Sequence, residues 1–445
     1  GFYTNVSTAW ERTQGIDATI DTTGDSQQFP SSDQDDFDKL DLTGKAGYNG
    51  DSWEGYLAYR RIDQNVDVDN GSFSDDDNAF ADFQRHLITY GATNAISENV
   101  ELQYIGGFST LDRLNANDSS RIDASGNFDG SVSRTSTDAT LLENELRATY
   151  RSDHFRTIAG LNSSRQTMNI KTLTIARAFN FFQETDLDSL NLDEVINSFF
   201  VHAELGGSLI SSRLERFSIG AGLRLLDHDQ FGFQSTFEVN PQYTISEQTT
   251  AYAAISTGFN APSLFQLESP AKSFGEITNL GNEALDPETS ISYEVGLRQS
   301  LSNRFSFDLS LFTTKIDDAI EFVNLWDGDT PIDALTFAEF RGDTYLNASE
   351  KKISGLEFGF DARVSPTITF WGDLTAATSE LQFSPSSIDQ NQTEGNHVQI
   401  FESGEFVQEN KEIDGLTRRP SLSGKVGAEV HITNKLGLMI NSNFV

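Results

Sequence analysis

The chain contains no cysteine. Disulfides, thiol nucleophiles and thiolate metal sites are therefore excluded together. Basic residues are scarce: 31 Lys and Arg stand against 67 Asp and Glu, giving a net charge of −36 over 445 residues. A nucleic-acid partner needs a basic footprint to neutralise phosphates, so none is expected. Long apolar runs are missing as well. No stretch approaches the ~18–20 residues that a membrane-spanning helix requires. The opening GFYTNVSTAW has neither the basic start nor the apolar core of a secretory signal. Length alone suggests several soluble domains, although all-β barrels exceed that rule as single domains.

A mean hydropathy of −0.40 reads as a water-soluble protein, but an average conceals period. Within 215–226, Glu215, Phe217, Ile219, Ala221, Leu223 and Leu225 share one face of an extended chain. Arg216, Ser218, Gly220, Gly222 and Arg224 share the other. Successive side chains of a strand point to opposite faces, so this is a strand with one greasy and one polar side. The pattern recurs. Ile291, Tyr293, Val295 and Leu297 oppose Ser292, Glu294, Gly296 and Arg298; Leu356, Phe358, Phe360, Ala362 and Val364 oppose Glu357, Gly359, Asp361 and Arg363. In 422–432, Leu422, Val426, Ala428, Val430 and Ile432 oppose Lys425, Gly427, Glu429 and His431. Two-faced segments of ~10 residues suit tilted strands crossing a bilayer.

The connections come in two alternating kinds. Short ones rich in Gly, Pro, Asn, Asp and Ser fall at Asn49-Gly50-Asp51, Asn94–Glu98, Ser152-Asp153, Ser208–Ser212, Ser246-Glu247, Ser302-Asn303, Ser365-Pro366 and Thr433-Asn434. Between them lie mostly long polar stretches, at about 15–35, 64–81, 113–137, 167–193, 227–231, 259–289, 320–347 and 383–416. This implies an all-β, antiparallel transmembrane β-barrel with about 17 strands present, short periplasmic turns and long extracellular loops. A soluble sandwich or propeller shares the alternation, yet no repeat of propeller length is visible.

Residues 252–297 carry a family resemblance. Ala261-Pro262-Ser263-Leu264 leads into Gly281-Asn282, Leu285, Pro287-Glu288 and Ser290, then into a strand with Tyr293-Glu294 and Gly296. Ile353-Ser354-Gly355-Leu356-Glu357 and Arg418-Arg419-Pro420 follow in order. The ordered set resembles the barrel of TonB-dependent outer-membrane receptors, and is most similar to the vitamin B12 (cobalamin) receptor branch. That resemblance implies a 22-stranded barrel around a plug domain, TonB as energising partner, and uptake of a scarce nutrient across the outer membrane of a Gram-negative-type bacterium. Residues 1–445 are then expected to be part of one barrel domain. Strand parity places two strands before it and three after, with the plug also outside it. The resemblance also implies acidic loops that bind calcium.

The acids are concentrated accordingly. Seven aspartates lie in 15–38 and seven in 62–84, without one Lys or Arg in either segment. Asp33, Asp35, Asp36, Asp67 and Asp69 are the candidate calcium ligands, since calcium takes six to eight oxygens and such spacing supplies them around turns. A solvated acidic loop is the plainer reading of the same residues. Loops of this sign disfavour anionic ferric siderophores and suit a neutral chelate such as a corrinoid. Arg113, Arg121, Arg134, Lys171 and Arg177 in later loops keep the siderophore alternative open. A passive porin is the alternative of another class. His86, His154, His202, His228, His397 and His431 are scattered singly, and no HExxH, GxSxG or P-loop pattern occurs. No enzyme activity and no redox cofactor are expected. Membrane lipid and a small nutrient ligand are the expected partners, with His202 and His431 on polar faces and Tyr48, Trp53, Tyr59, Phe155 and Phe305 near strand ends.

The face assignment is testable. Leu223→Arg or Phe358→Arg should impair insertion and assembly, because Arg near the bilayer midplane costs ~2–4 kcal/mol, whereas Ser218→Thr on the polar face should assemble normally. Equal amounts of folded, membrane-inserted protein from both sets would refute the assignment.

Overall fold

The computed structural model describes residues 1–15, 35–68, 78–118, 131–177, 180–271, 278–415, 420–433 and 436–445. Among them the expected alternation becomes antiparallel sheet throughout. The chain divides into two compact units, one comprising residues 1–149, 160–199 and 227–232, the other 150–159, 200–226 and 233–445.

The first unit is a meander of β1 (Phe2–Thr13), β2 (Phe37–Asn49), β3 (Trp53–Asp67), β4 (Ala79–Ala95), β5 (Val100–Asp118) and β6 (Ser131–Arg151). It also takes in most of β7 (Phe155–Ala176), the short β8 (Phe181–Asp186) paired to the end of β7, and the start of β9 (Asp193–Gly206). The second unit holds β10 (Phe217–His228), apart from its last two residues, then β11 (Gly232–Ser246) and β12 (Thr249–Asn260). A short helix α1 (Leu264–Glu268) precedes β13 (Glu288–Ser302) and β14 (Phe305–Asp317). After β15 (Ile320–Trp326) and β16 (Phe340–Asn347) come β17 (Glu350–Ser365) and β18 (Ile368–Phe383). Helix α2 (Gln390–Thr393), β19 (His397–Ile400) and β20 (Lys411–Asp414) lead to β21 (Leu422–Thr433) and β22 (Leu436–Phe444). Nineteen strands belong to the main sheet, or seventeen without the short β8 and β20. β15, β16 and β19 form a separate three-stranded sheet.

All eight expected turns fall at strand junctions. Gly50 N donates to Trp53 O at 2.9 Å and Ser152 N to Phe155 O at 2.8 Å, closing tight hairpins. Among the described residues the long connections depart from expectation at 167–193, 320–347 and 383–416, which are partly folded and carry β8, β15, β16, β19 and β20; much of 15–35, 64–81 and 113–137 lies outside the described residues.

The two faces sort as read. In β13 and β14, Val295 and Leu311 sit opposite each other and are each more than half exposed, with Tyr293 beside them. On the other face the Tyr252 hydroxyl donates to Glu294 at 3.0 Å, and Arg298 Nε donates to Asp308 at 3.1 Å. In β5, Leu102, Tyr104 and Phe108 are exposed, while Gln103 between them accepts a bond from Arg147 at 2.6 Å. An apolar band this extensive is a surface for lipid, not water. Aromatic rings also collect at the turns: Tyr48 stacks on Trp53 at 4.7 Å and meets Phe2 at 4.9 Å. This is the placement expected of an interfacial girdle.

One packing device recurs along the sheet. Tyr3, Tyr56, Tyr90, Tyr252, Phe312, Phe360, Trp371 and Phe444 each stand directly opposite a glycine on the neighbouring strand: Gly47, Gly91, Gly106, Gly296, Gly355, Gly372, Gly427 and Gly424. In every pair the ring occupies the space that a side chain on the glycine would take; a Cβ on Gly296 would lie 2.2 Å from Tyr252 Cζ. The ring covers bare backbone and fixes register at that rung.

Gly296→Ala should therefore expel the Tyr252 ring and lower stability by ~1–3 kcal/mol, the usual cost of overpacking. In a Tyr252→Ala background the same change should cost almost nothing. Thermal unfolding of the four proteins in detergent closes the cycle, and an equal penalty in both backgrounds would overturn the pairing.

Candidate functional site

The motif residues turn out to be a brace. Chain leaving β12 passes Ala261 and the fully buried Pro262 into α1, which Ser263 caps. Ser263 Oγ accepts from Gln266 N at 3.3 Å while Gln266 Oε1 accepts from Ser263 N at 3.0 Å, a capping box that satisfies both ends of the turn. Leu264 and Leu267 bury the other side of the helix. Gly281 N donates to Ser269 O at 2.8 Å, and a Cβ there would lie 2.4 Å from Ser269 N, so only glycine permits this approach.

Asn282 then joins three connections. Its amide donates to Tyr345 O at 2.8 Å and Gln392 O at 2.9 Å, and its carbonyl accepts from Ala284 N at 3.1 Å. Gln392 donates to Ala284 O at 3.0 Å and to Asn347 Oδ1 at 2.8 Å, and accepts from Asn347 N at 3.1 Å. Asn347 donates in turn to Asp286 O at 3.0 Å and Asp318 O at 2.6 Å. Leu285 is buried beside this network, Pro287 is half-buried, and Glu288 accepts from Asn260 Nδ2 and Ile320 N, each at 2.8 Å. Burial, with Asp286 and Asp317 as like-charged neighbours, pushes Asp318 above the usual carboxylate range. Of the remaining motif residues, Tyr293 lies on the apolar face and Glu294 and Gly296 meet Tyr252. Gly355 makes room for Phe312, and Glu357 stands opposite Ser310. Pro420 is exposed, and Arg419 lies outside the described residues.

Above this brace, β15 lies between β16 and β19. Val323, Leu325, Leu346, Ala348, Leu381, Phe383, Val398 and Ile400 form a dry core on one face of that small sheet. Sequence reading missed this body, although the alternation Phe322-Val323-Asn324-Leu325-Trp326 carried its signal.

The acidic candidates divide. Asp33 and Asp69 lie outside the described residues. Asp35, Asp36 and Asp67 are brought together: Asp67 N donates to Asp36 O at 3.0 Å. Burial, reinforced by the charges of Asp36 and Asp35, raises the Asp67 carboxyl above its ordinary range. A divalent cation would relieve that repulsion, which fits the donor set, but the three carboxylates do not close to single-ion spacing. Among the described residues the three carboxylates that do are Glu380, Glu412 and Asp414, on β18 and β20.

Three histidines stand beside carboxylates among the described residues, His431 Nε2 at 3.4 Å from Glu429 being the most exposed. His202 Nδ1 lies 2.7 Å from Glu238 on the polar face of the second unit, and the buried His228 Nε2 lies 2.9 Å from Glu194 in the first.

Comparison with known proteins places this geometry. Residues 2–430 match the family described as TonB dependent receptor-like, beta-barrel, and the chain belongs to that family of outer-membrane transport receptors, which are not enzymes. An alignment 88 residues long, taking in 17 % of the chain, is 36 % identical to the ferric enterobactin receptor PirA of Pseudomonas aeruginosa and covers 12 % of that receptor. Among solved structures, the ferric yersiniabactin uptake receptor FyuA from Yersinia pestis superposes with a TM-score of 0.64 at 12 % identity, over 98 % of this chain and 62 % of that one. The copper transporter OprC gives 0.61 at 12 % identity, over 99 % and 69 %. The chain thus spans roughly two thirds of those structures and a small part of the curated relative.

The brace makes its own prediction. Asn347→Ala strands the Gln392 amide and the Asp286 and Asp318 backbone groups, each worth ~1–3 kcal/mol when left unpaired. Hydrogen exchange should quicken at residues 284–286 and 344–347 and stay unchanged in β3 and β4. Unchanged exchange throughout would refute the brace.

Proposed function

We propose that this member of the TonB-dependent receptor β-barrel family imports a scarce metal chelate across the outer membrane, with energy supplied through TonB. The observation that carries the reading is the family match over nearly the whole chain, joined to a sheet with one lipid-suited and one polar face. The names of the similar proteins, receptors for ferric enterobactin and ferric yersiniabactin and a copper transporter, support a metal-bearing ligand as the class.

Within that class two ligands compete. A cobalamin-like corrinoid is favoured by fourteen aspartates in two early segments without a base, because a mouth of that sign repels anionic chelates. A ferric siderophore fits the relatives at least as well. A passive porin would need neither TonB nor ligand recognition. Calcium belongs to the same proposal: Asp35, Asp36 and Asp67, with Asp33 and Asp69 flanking them in sequence, are the residues that would hold it. Ordering loops that otherwise repel themselves would raise the population competent to bind.

The test uses the full-length receptor. Cells carrying it should accumulate labelled cobalamin or a ferric siderophore only when TonB is present; TonB-independent uptake would overturn the reading in favour of a porin. With the purified receptor, a calcium chelator should weaken ligand binding several-fold, and by linkage the ligand should tighten calcium binding. Magnesium should restore binding poorly, since it prefers a small rigid octahedron. A receptor with Asp33, Asp35 and Asp36 changed to Asn should be insensitive to the chelator. Affinity unchanged by chelation in the unmodified receptor would show these aspartates to be a solvated rim.

A further inference from the structure

The small sheet above the brace buries one face and leaves the other aromatic. Register places Trp326 opposite Phe340, with Phe322 opposite Tyr345 at the far end of β15. The apolar core of this body lies on the opposite face.

At the Trp326 end the rings are fixed and one is displayed. The Trp326 indole N–H donates to Gln399 Oε1 at 2.8 Å, which sets the ring plane. Phe340 meets Trp326 edge to face at 5.2 Å, and Phe337 stacks on Phe340 at 5.9 Å with the planes 17° apart. Phe337 is nevertheless 84 % exposed. Its backbone sits in a capped turn: Thr336 and Glu339 form a capping box around it, with Thr336 N and Oγ1 donating to Glu339 Oε2 at 2.7 and 2.6 Å. A large ring displayed on a capped turn and backed by a second ring has the physical profile of a binding anchor.

The surroundings select by charge. Residues 326–345 contain Asp327, Asp329, Asp333, Glu339 and Asp343 against a single base, Arg341. That base is tied to Asp327 at 2.6 Å. An anion brought to this patch meets uncompensated negative charge; an uncharged or cationic group does not.

We propose that Phe337, Phe340 and Trp326 form a ring-stacking subsite that receives the flat ring face of an uncharged or cationic metal chelate. The proposal rests on the reading of this chain as a chelate receptor, and it narrows the ligand to those that carry an exposed planar ring and no net negative charge. A cobalamin, through the planar benzimidazole of its lower ligand, and a neutral ferric chelate with aromatic rings share that chemistry.

The experiment titrates the full-length receptor with four probes: cyanocobalamin, the neutral ferric tris-hydroxypyridinone, a neutral ferric tris-hydroxamate without flat rings, and triply anionic ferric enterobactin. One of the two uncharged ring-bearing probes should bind tightest. Phe337→Ala should raise its Kd at least tenfold, Phe337→Tyr should restore it, and Phe401→Ala, which removes an exposed ring beside Phe322, should leave it within twofold. Hydrogen exchange in β15 should match the parent in all three variants. The subsite is refuted if Phe337→Ala leaves Kd within twofold, if the tris-hydroxamate loses as much affinity as the ring-bearing probe, or if ferric enterobactin binds tightest. Failure of all four probes to bind would instead remove the chelate-receptor reading beneath it.

Discussion

In hydrocarbon a backbone N–H or C=O has no water to turn to, so every strand must have partners and its side chains must serve two solvents at once. The rest of this structure depends on that constraint. It imposes a period of two, with Val295 and Leu311 to one side and Glu294, Arg298 and Asp308 to the other. It also explains the glycines. Bare backbone opposite an aromatic ring is shielded as well as backbone beneath a side chain, and it leaves room on the polar face where a second large group would crowd. Tyr252 over Gly296 and Trp371 over Gly427 are the same solution at different rungs.

Because the constraint is local, much of the fold was legible in sequence. A strict two-residue alternation reports itself within ten residues, and a hairpin turn within four. All eight short turns and the seventeen long strands were readable from such signals. The small sheet was not, because its strands are short and its partners distant. Val323 pairs with Ile400, and Asn282 bonds Gln392 across 110 residues of chain. No local pattern announces such a pairing, although alternation in Phe322–Trp326 and Val398–Ile400 was present to be read. The family motif told a further partial story: it marked the right residues without disclosing that Gly281 and Asn282 hold loops together.

The acidic candidates show the other limit. Register between β2 and β3 sets Phe37 opposite Val66, which by itself carries Asp36 to Asp67. Proximity was therefore implied by the hairpin, but ligand geometry was not. Carboxylates that share a neighbourhood and repel one another differ from carboxylates spaced around one ion. The tighter trio, Glu380 with Glu412 and Asp414, arises only because β20 pairs against the end of β18 after a connection of more than twenty residues.

Burial and charge act at different connections of this chain. The connections after β12, β14 and β18 are ordered by burial: amide networks and an apolar core fix them whatever the ionic conditions, since neither is screened by salt. At the start of β2 and the end of β3 charge dominates instead: Asp67 meets Asp36 and Asp35, and burial with that repulsion raises its carboxyl above the ordinary range. Charged groups a Debye length apart, ~8–10 Å at physiological ionic strength, still feel one another. Asp35, Asp36 and Asp67 therefore act on one another as a single field, not as independent sites. A field of that sign admits neutral and cationic ligands and also draws counter-ions. Under the proposed function, ligand selection and ion dependence are two consequences of one charge distribution, so a substitution that altered one would alter the other.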